Sequence, residues 1–132
     1  MVFWRSFLAS KEPANILGYK IMAFGVLYDF TGNSNVSKVI KAKDMVTQPW
    51  FLDAIHTKEP IDVFLLLGHN PVRPTDFSST FKTVYNAIRA VHPDVPIQIL
   101  GGHSHVRDFA IYDEITTSLE SGEPYPSVIL AI

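Results

Sequence analysis

Two short apolar runs, each followed by glycine and histidine, decide the fold of this chain. The first run is Ile61–Leu67 (IDVFLLL), which leads into Gly68-His69-Asn70-Pro71. The second is Ile97–Leu100 (IQIL), which leads into Gly101-Gly102-His103-Ser104-His105. The first run has almost no polar alternation, which is typical of parallel strands that are covered on both faces. The runs therefore predict two strands of a mostly parallel sheet, each with histidine directly after its end.

Helical spacing of apolar residues predicts two helices between the strands. The first begins at an Asp44 N-cap and extends to Ile55, with Pro49 in its first turn or dividing it in two. The second follows a Ser78 or Ser79 cap. Its apolar face is predicted to consist of Phe81, Val84, Tyr85, Ile88 and Val91.

Two further strands complete the predicted order of elements. Tyr19–Leu27 is an apolar run of strand length, and Phe109–Tyr112 forms a fourth short run. Strands that alternate with helices indicate crossover connections on a parallel sheet. The sequence thus predicts an α/β fold, with a mostly parallel sheet and flanking helices.

Composition limits the classes of function. The chain has 132 residues, of which 47% are hydrophobic and 18% charged, with a net charge of -2 and no cysteine. The near-neutral charge gives no basic surface of the kind that binds a nucleic-acid polymer. The absence of cysteine excludes disulfides and thiolate metal sites. No apolar stretch is long enough to span a bilayer. Met1–Ser10 matches a signal peptide only weakly, because Arg5 interrupts it, so the localisation stays open.

Histidines at the strand ends are the candidate functional residues. If the two strands are neighbours, His69, His103 and His105 converge on one edge of the sheet. Glycine before each histidine is expected to permit a sharp turn, and extended backbone would direct His103 and His105 to the same side. Neutral imidazole binds Zn, Mn, Fe and similar ions. Each histidine taken alone is also typical of a solvent-facing residue, and His56 and His92, at predicted helix ends, are interpreted as structural.

These same strings carry a family resemblance. Ile97-Leu-Gly-Gly-His-Ser-His105, together with Leu65-Leu-Leu-Gly-His-Asn70, resembles the calcineurin-like metallophosphoesterases. The doubled glycine is most similar to the branch that includes the 5'-nucleotidases, and Gly101–Glu114 (GGHSHVRDFAIYDE) to an uncharacterised fungal group within it. The resemblance covers about residues 16–121 and leaves 122–132 as a divergent tail. It implies that residues 1–132 are one partial domain, the second half of an α/β/β/α sandwich.

The resemblance implies a phosphoesterase that acts through two divalent ions of the Zn, Mn, Fe or Mg class. His69 and His103 correspond to ligands of the second metal and His105 to a ligand of the first. The substrate would be a phosphate ester or nucleotide, and the family's members are often secreted or vacuolar. Neither a catalytic residue nor a substrate-binding residue is assigned in this chain, and Asn70 and Arg107 neighbour the ligands without an assigned role.

Three motifs that supply the family's other ligands have no match before Gly18. Gly32-Asn33-Ser34-Asn35 is not the third of them, because serine replaces its histidine and it follows the first strand. Two divalent ions about 4 Å apart repel by roughly 17 kcal/mol at an effective dielectric of 20. Neutral imidazoles supply no charge that offsets this repulsion. The chain alone is therefore expected to hold at most one ion.

Two other interpretations remain. The chain could be a truncated, non-catalytic fragment or a module that depends on a partner, because the resemblance leaves one face of its sheet without cover. A partner or an oligomer would then bury that face. The third interpretation is a flavodoxin-like binding module, which requires a phosphate loop after the first strand. Thr31-Gly32-Asn33-Ser34 is a thin candidate for such a loop.

Overall fold

The computed structural model describes residues 18–32 and 34–122. Met1–Ser10 and nearly all of the predicted tail, from residue 123 onward, lie outside the described residues. The elements follow in the order β1 (Ile21–Gly25), α1 (Ala42–Met45), α2 (Pro49–Ile55), β2 (Val63–Leu67), α3 (Phe81–Val91), β3 (Ile97–Gly101), β4 (Asp108–Asp113) and β5 (Thr116–Glu120). None of these helices is long and apolar enough to cross a lipid bilayer.

One five-stranded sheet organises the molecule, and its strand order is β1-β2-β3-β5-β4. β1 and β2, β2 and β3, and β3 and β5 are parallel pairs, whereas β4 is antiparallel to β5. The predicted α/β class with a mostly parallel sheet is thereby confirmed. Because β5 lies between β3 and β4, the chain leaves β3, crosses the end of β5, descends as β4 and returns as β5.

A single core joins the helices to one face of the sheet. Alternate strand residues point toward the helices, and each loses its contact with water on folding. Burying such a side chain contributes about 1.5–3 kcal/mol. The fully buried members from strands are Phe24, Phe64, Leu66, Ile97 and Ile99, and those from helices are Met45, Phe51, Ile55, Phe81, Val84 and Ile88.

The opposite face of the sheet carries apolar side chains that no described helix covers. Leu67 is 39% exposed, Leu100 37%, Phe109 51% and Ile111 64%. Leu100 and Phe109 flank Leu119 in the pairing register, so these side chains form a continuous strip across β3, β5 and β4. We call the residues Leu67, Leu100, Phe109 and Ile111 the open face.

The predicted helix boundaries need correction. The helical run is divided in two, which is one of the two predicted arrangements, and Pro49 occupies the first turn of the second helix. Asp44 lies inside α1, whose N-cap is Lys41. The first helical N–H, of Ala42, donates instead to the carboxylate of Asp29 at 2.9 Å. A carboxylate from another loop therefore performs the capping role predicted for a local one.

The cap predicted for the second helix is also displaced. Thr80, and neither Ser78 nor Ser79, is the N-cap of α3. Ser78 instead donates its N–H and hydroxyl to Asp76 in the preceding loop. The apolar face was predicted correctly for its buried members, while Tyr85 and Val91 are only partly buried.

Candidate functional site

The sheet brings the two glycine–histidine stretches to the same edge. β2 and β3 are parallel neighbours, and Leu67 pairs with Leu100 at the last shared position of the register. The loops that leave both strands therefore start side by side. Backbone bonds link them directly, because the Gly102 N–H donates to the carbonyl of Asn70 at 3.0 Å.

His69 and His103 form a pair across these loops. Nδ1 of His103 lies 3.0 Å from Nε2 of His69, so one imidazole donates a hydrogen bond to the other. The ring centroids are 4.8 Å apart and the planes are inclined at 78°. His69 is exposed and His103 half-buried, which leaves the pair open to solvent on one side.

His105 is not part of this pair. It is exposed in the loop between β3 and β4. Within residues 18–32 and 34–122, no three His, Cys, Asp or Glu side chains form a group that could hold a metal ion. The expected convergence therefore holds for two of the three imidazoles.

The backbone of the loop explains why His105 diverges. His103 has φ of 101° and His105 has φ of 61°, so both adopt left-handed conformations. The extended backbone that would place the two rings on one side is absent. Such conformations cost about 1–3 kcal/mol for a non-glycine residue, so neighbouring contacts must stabilise them.

Two glycines at these loops lie so close to neighbouring backbone that a Cβ would not fit. A Cβ on Gly68 would lie 1.7 Å from the carbonyl oxygen of Val26, and one on Gly101 would lie 2.4 Å from the carbonyl oxygen of Asn70. Neither glycine has a positive φ. Gly68 and Gly101 therefore permit the close approach of two backbones, a role that differs from the sharp turn predicted for the glycine before each histidine.

Tyr28 completes the immediate surroundings of the pair, and it was not among the predicted site residues. Its ring stacks on His103, with centroids 4.4 Å apart and planes 29° apart, and lies 6.0 Å from His69. Its N–H donates to the carbonyl of His69 at 3.3 Å. An aromatic residue shortly after β1, at the same edge of the sheet, was the available signal.

Two buried polar residues hold the loops, and neither was predicted to do so. Asn70 is fully buried, and it donates to the Thr80 hydroxyl at 2.6 Å while accepting the Thr80 N–H at 3.1 Å. Glu120 is 1% exposed, and its carboxylate accepts hydrogen bonds from Ser104 and Val72. The burial of polar groups is offset here by hydrogen bonds.

Charge near the pair comes from Asp76 in the loop before α3. Hydrogen bonds from the side chain and the N–H of Ser78 hold the pKa of Asp76 below its usual value of 3.8. Burial opposes this shift, and the electrostatic interaction with His103 adds to it. Asp76 is therefore an ionised, exposed carboxylate within electrostatic range of the pair.

The other histidines have structural contacts, in agreement with their interpretation. His56, the C-cap of α2, has Nδ1 2.8 Å from the Leu52 carbonyl. His92 ends α3, has Nε2 2.6 Å from the carbonyl of Ile55 and packs against Phe64. Neither belongs to the edge of the sheet where His69 and His103 meet.

Three curated fungal proteins are similar in sequence. The chain is 57% identical over 105 residues to a protein of Arthroderma benhamiae named "Secreted protein". It is 45% identical over 105 residues to an uncharacterised protein of Schizosaccharomyces pombe, and 31% over 124 residues to one of Saccharomyces cerevisiae. These matches cover 80%, 80% and 91% of this chain. No protein-family model matches it.

Among solved structures, a 5'-nucleotidase from Candida albicans is similar, with a TM-score of 0.75 and 36% sequence identity over 81% of this chain. The chain spans only 19% of that enzyme and 16–20% of the curated relatives. A metallophosphoesterase-like fold fits this likeness. The chain thus has the α/β fold of one segment of a 5'-nucleotidase.

Proposed function

We propose that this chain is a segment of a metal-dependent phosphoesterase of the 5'-nucleotidase type, in which His69 and His103 hold one divalent ion. The observation that supports this proposal is the contact between these two imidazoles at the carboxyl ends of β2 and β3. The likeness to a 5'-nucleotidase supports a phosphate ester or nucleotide as the substrate. The name of the Arthroderma relative is compatible with secretion.

The pair has the chemistry and spacing for one ion. Tetrahedral zinc with Zn–N bonds of about 2.0–2.1 Å separates two ligand nitrogens by about 3.3 Å. The two ring nitrogens are 3.0 Å apart, so a small displacement of the rings admits an ion. Imidazole suits Zn, Mn and Fe, whereas magnesium prefers oxygen ligands, so zinc is the better candidate.

A second ion does not fit the described residues by themselves. His105 is its proposed ligand, on the basis of the family resemblance, but no carboxylate joins His105 and the pair in one group within 18–32 and 34–122. Neutral imidazoles leave the repulsion between two divalent ions uncompensated. The carboxylates that a dinuclear centre needs would come from another part of a longer protein.

The roles of the chain's own residues follow from their contacts. Bound divalent ions supply Lewis-acid stabilisation of charge that develops on a phosphoryl group. His69 and His103 provide the ligand nitrogens, and Tyr28 orients the His103 ring by stacking. No described residue is proposed as a catalytic acid, so the chain contributes binding and orientation to the reaction.

We further propose that the open face is covered by the rest of a longer polypeptide. The relatives are five to six times as long as the matching segment, because this chain spans 16–20% of them. Exposed apolar strips of this kind mark interfaces. A non-catalytic, partner-dependent module would also need a partner over the open face. Metal binding therefore distinguishes this alternative from a phosphoesterase segment. Within the described residues, α1, α2 and α3 all contribute to one core, an arrangement that does not favour the flavodoxin-like alternative.

Metal content tests the proposed function. The chain is incubated with zinc or manganese and desalted, and the ion bound per chain is measured by elemental analysis. One ion per chain is expected, with loss of binding in His69→Ala and His103→Ala and retention in the control His56→Ala. Absence of bound metal, or equal binding by all variants, would overturn the proposal in favour of a non-catalytic module. Two ions per chain would contradict the charge argument.

A further inference from the structure

We propose that Glu120 is the positioning residue of the histidine pair, because its single carboxylate ties together the two loops that carry His69 and His103. The proposal rests on the proposed function for the role of the pair. The positions of the two loops do not depend on metal binding, so they can be measured in metal-free protein.

The sheet places Glu120 beneath the loop that follows β3. In the register of the strands, Glu120 pairs with Gly101 on one side and with Asp108 on the other. These two partners are the last residue of β3 and the first of β4. The intervening residues 102–107 must therefore pass over the end of β5, where the side chain of Glu120 lies.

Each carboxylate oxygen holds one loop. Oε1 accepts the N–H of Ser104 at 2.8 Å and the hydroxyl of Ser104 at 2.7 Å. Oε2 accepts the N–H of Val72, in the loop that follows His69, at 3.3 Å. Hydrogen bonds to a carboxylate are about twice as strong as those between neutral groups. The relative position of the two loops is thus set by one rigid, planar group.

The contacts of Glu120 fall where the backbone is strained. Ser104 lies between His103 and His105, both of which have positive φ. Its two bonds to Glu120 offset the cost of these conformations and direct the His103 ring toward His69. The chain contacts the loop again just after β5, at Gly122, where a Cβ would lie 2.7 Å from the N of Arg107 and 3.3 Å from the carbonyl oxygen of His105.

Because Glu120 is buried, its carboxylate depends on its hydrogen bonds to the two loops. Glu120 is 1% exposed, and an unpaired carboxylate would not be stable there. It accepts hydrogen bonds from the N–H groups of Val72 and Ser104 and from the hydroxyl of Ser104. Groups that orient metal-binding imidazoles typically alter metal affinity 10–100-fold when they are changed, although they do not touch the ion.

The test compares Glu120→Ala and Glu120→Gln with the control Thr116→Val. Thr116 is buried on the same strand and face, and its hydroxyl accepts a hydrogen bond from Arg89, which belongs to neither histidine loop. The readouts are the nuclear Overhauser contact between the His69 and His103 ring protons in metal-free protein, and zinc affinity by calorimetry.

We expect Glu120→Ala to lose the contact between the rings and to bind zinc at least about 10-fold more weakly. Glu120→Gln keeps an oxygen for Ser104 and should show a smaller loss, while Thr116→Val retains both readouts. If Glu120→Ala does not fold, Glu120→Gln decides the matter alone. Ring contact and affinity equal to those of Thr116→Val would overturn the proposal. If the wild type binds no zinc but Glu120→Ala or Glu120→Gln loses the ring contact, positioning is upheld and the proposed function fails.

Discussion

The ring of Tyr28 lies against the ring of His103, with centroids 4.4 Å apart and planes inclined at 29°. These residues follow different strands, β1 and β3, which are separated in the sheet by β2. The contact therefore reaches across the end of β2, the strand that precedes His69. The segments that follow three adjacent strands of the sheet each supply one ring to the site.

Replacement of Tyr28 by alanine should weaken zinc binding by about 2–10-fold, because a pair of stacked rings contributes about 0.5–1.5 kcal/mol. Tyr28→Phe keeps the ring and should bind as the wild type does. Calorimetric titration with zinc measures both. Tyr19→Ala, an exposed tyrosine near the start of β1, is the control. Unchanged affinity in Tyr28→Ala would show that stacking does not orient His103.

Substitution of Gly68 by alanine should destabilise the chain by about 3 kcal/mol, because the new Cβ would overlap the carbonyl of Val26. Both sides of this contact are backbone, so neither can move as a side chain would. Gly102→Ala is the matched control, since a Cβ there meets nothing within 4 Å. Urea unfolding of the two variants gives the comparison. Equal midpoints for both would contradict the close approach of β1 and β2 at this edge.

Stability should fall at alkaline pH because of Tyr112. Burial raises the pKa of Tyr112 to about 12 from its usual value of 10.0, so the folded chain keeps a proton that the unfolded chain releases. The resulting stability is complete below pH 10.0 and is lost as the pH rises toward about 12. Urea midpoints measured across this range report the loss.

Tyr112→Phe tests the assignment. This variant loses the hydrogen bond from the hydroxyl to the carbonyl of Val72, worth about 1 kcal/mol, but its alkaline decline should be shallower. Part of the decline should remain, since burial also raises the pKa of Tyr85. Tyr19→Phe should decline as the wild type does. A Tyr112→Phe profile parallel to the wild type would refute the prediction.

The open face should bind the rest of a longer relative. We expect Phe109→Thr/Ile111→Thr to keep the stability of the isolated chain within about 0.5 kcal/mol, because both side chains are exposed. The remainder of the Arthroderma benhamiae relative, expressed without the matching 105 residues, should raise the melting temperature of the wild-type chain. It should affect the double variant less.

Val36→Thr, which changes an exposed residue outside the sheet, is the control for this surface. It should respond to the added polypeptide as the wild type does. If the added polypeptide raises none of the three melting temperatures, the open face is not its docking surface.

The sequence was most informative where structure is local. β2 is a continuous apolar run and β3 an apolar run interrupted by Gln98, and the glycine–histidine pairs that follow them are visible without any knowledge of tertiary contacts. Parallel pairing then places His69 beside His103, as predicted. The helices were placed correctly by their apolar spacing, although the caps were not, because α1 is capped by Asp29 from a distant loop.

β5 could not be predicted from its residues. Thr116–Glu120 is mostly polar, yet Thr116, Ser118, Leu119 and Glu120 are all buried. Their burial depends on partners elsewhere in the chain, such as the carbonyl of Val72 for the hydroxyl of Ser118. Neither hydrophobic periodicity nor local propensity records such a partner. The strand is a consequence of tertiary structure.

The contact between His69 and His103 was predicted, whereas the backbone conformation of the loop that carries His103 and His105 was not. Residues other than glycine are uncommon at positive φ, so extended backbone was the natural expectation for His103 and His105. The loop adopts the costlier conformation because Glu120, 16 residues beyond Ser104, fixes it from below. Asn70 and Glu120 act largely through backbone groups, and those contacts leave no pattern in the sequence.

The position of β5 between β3 and β4 has a consequence for synthesis on the ribosome. His69 and His103 both emerge before β5, but the loop that joins β3 to β4 closes over a strand that has not yet been made. Until Glu120 has left the exit tunnel, the Ser104 N–H and hydroxyl have no carboxylate to bind. Nascent chains released before this residue would carry both histidines without the arrangement that pairs them.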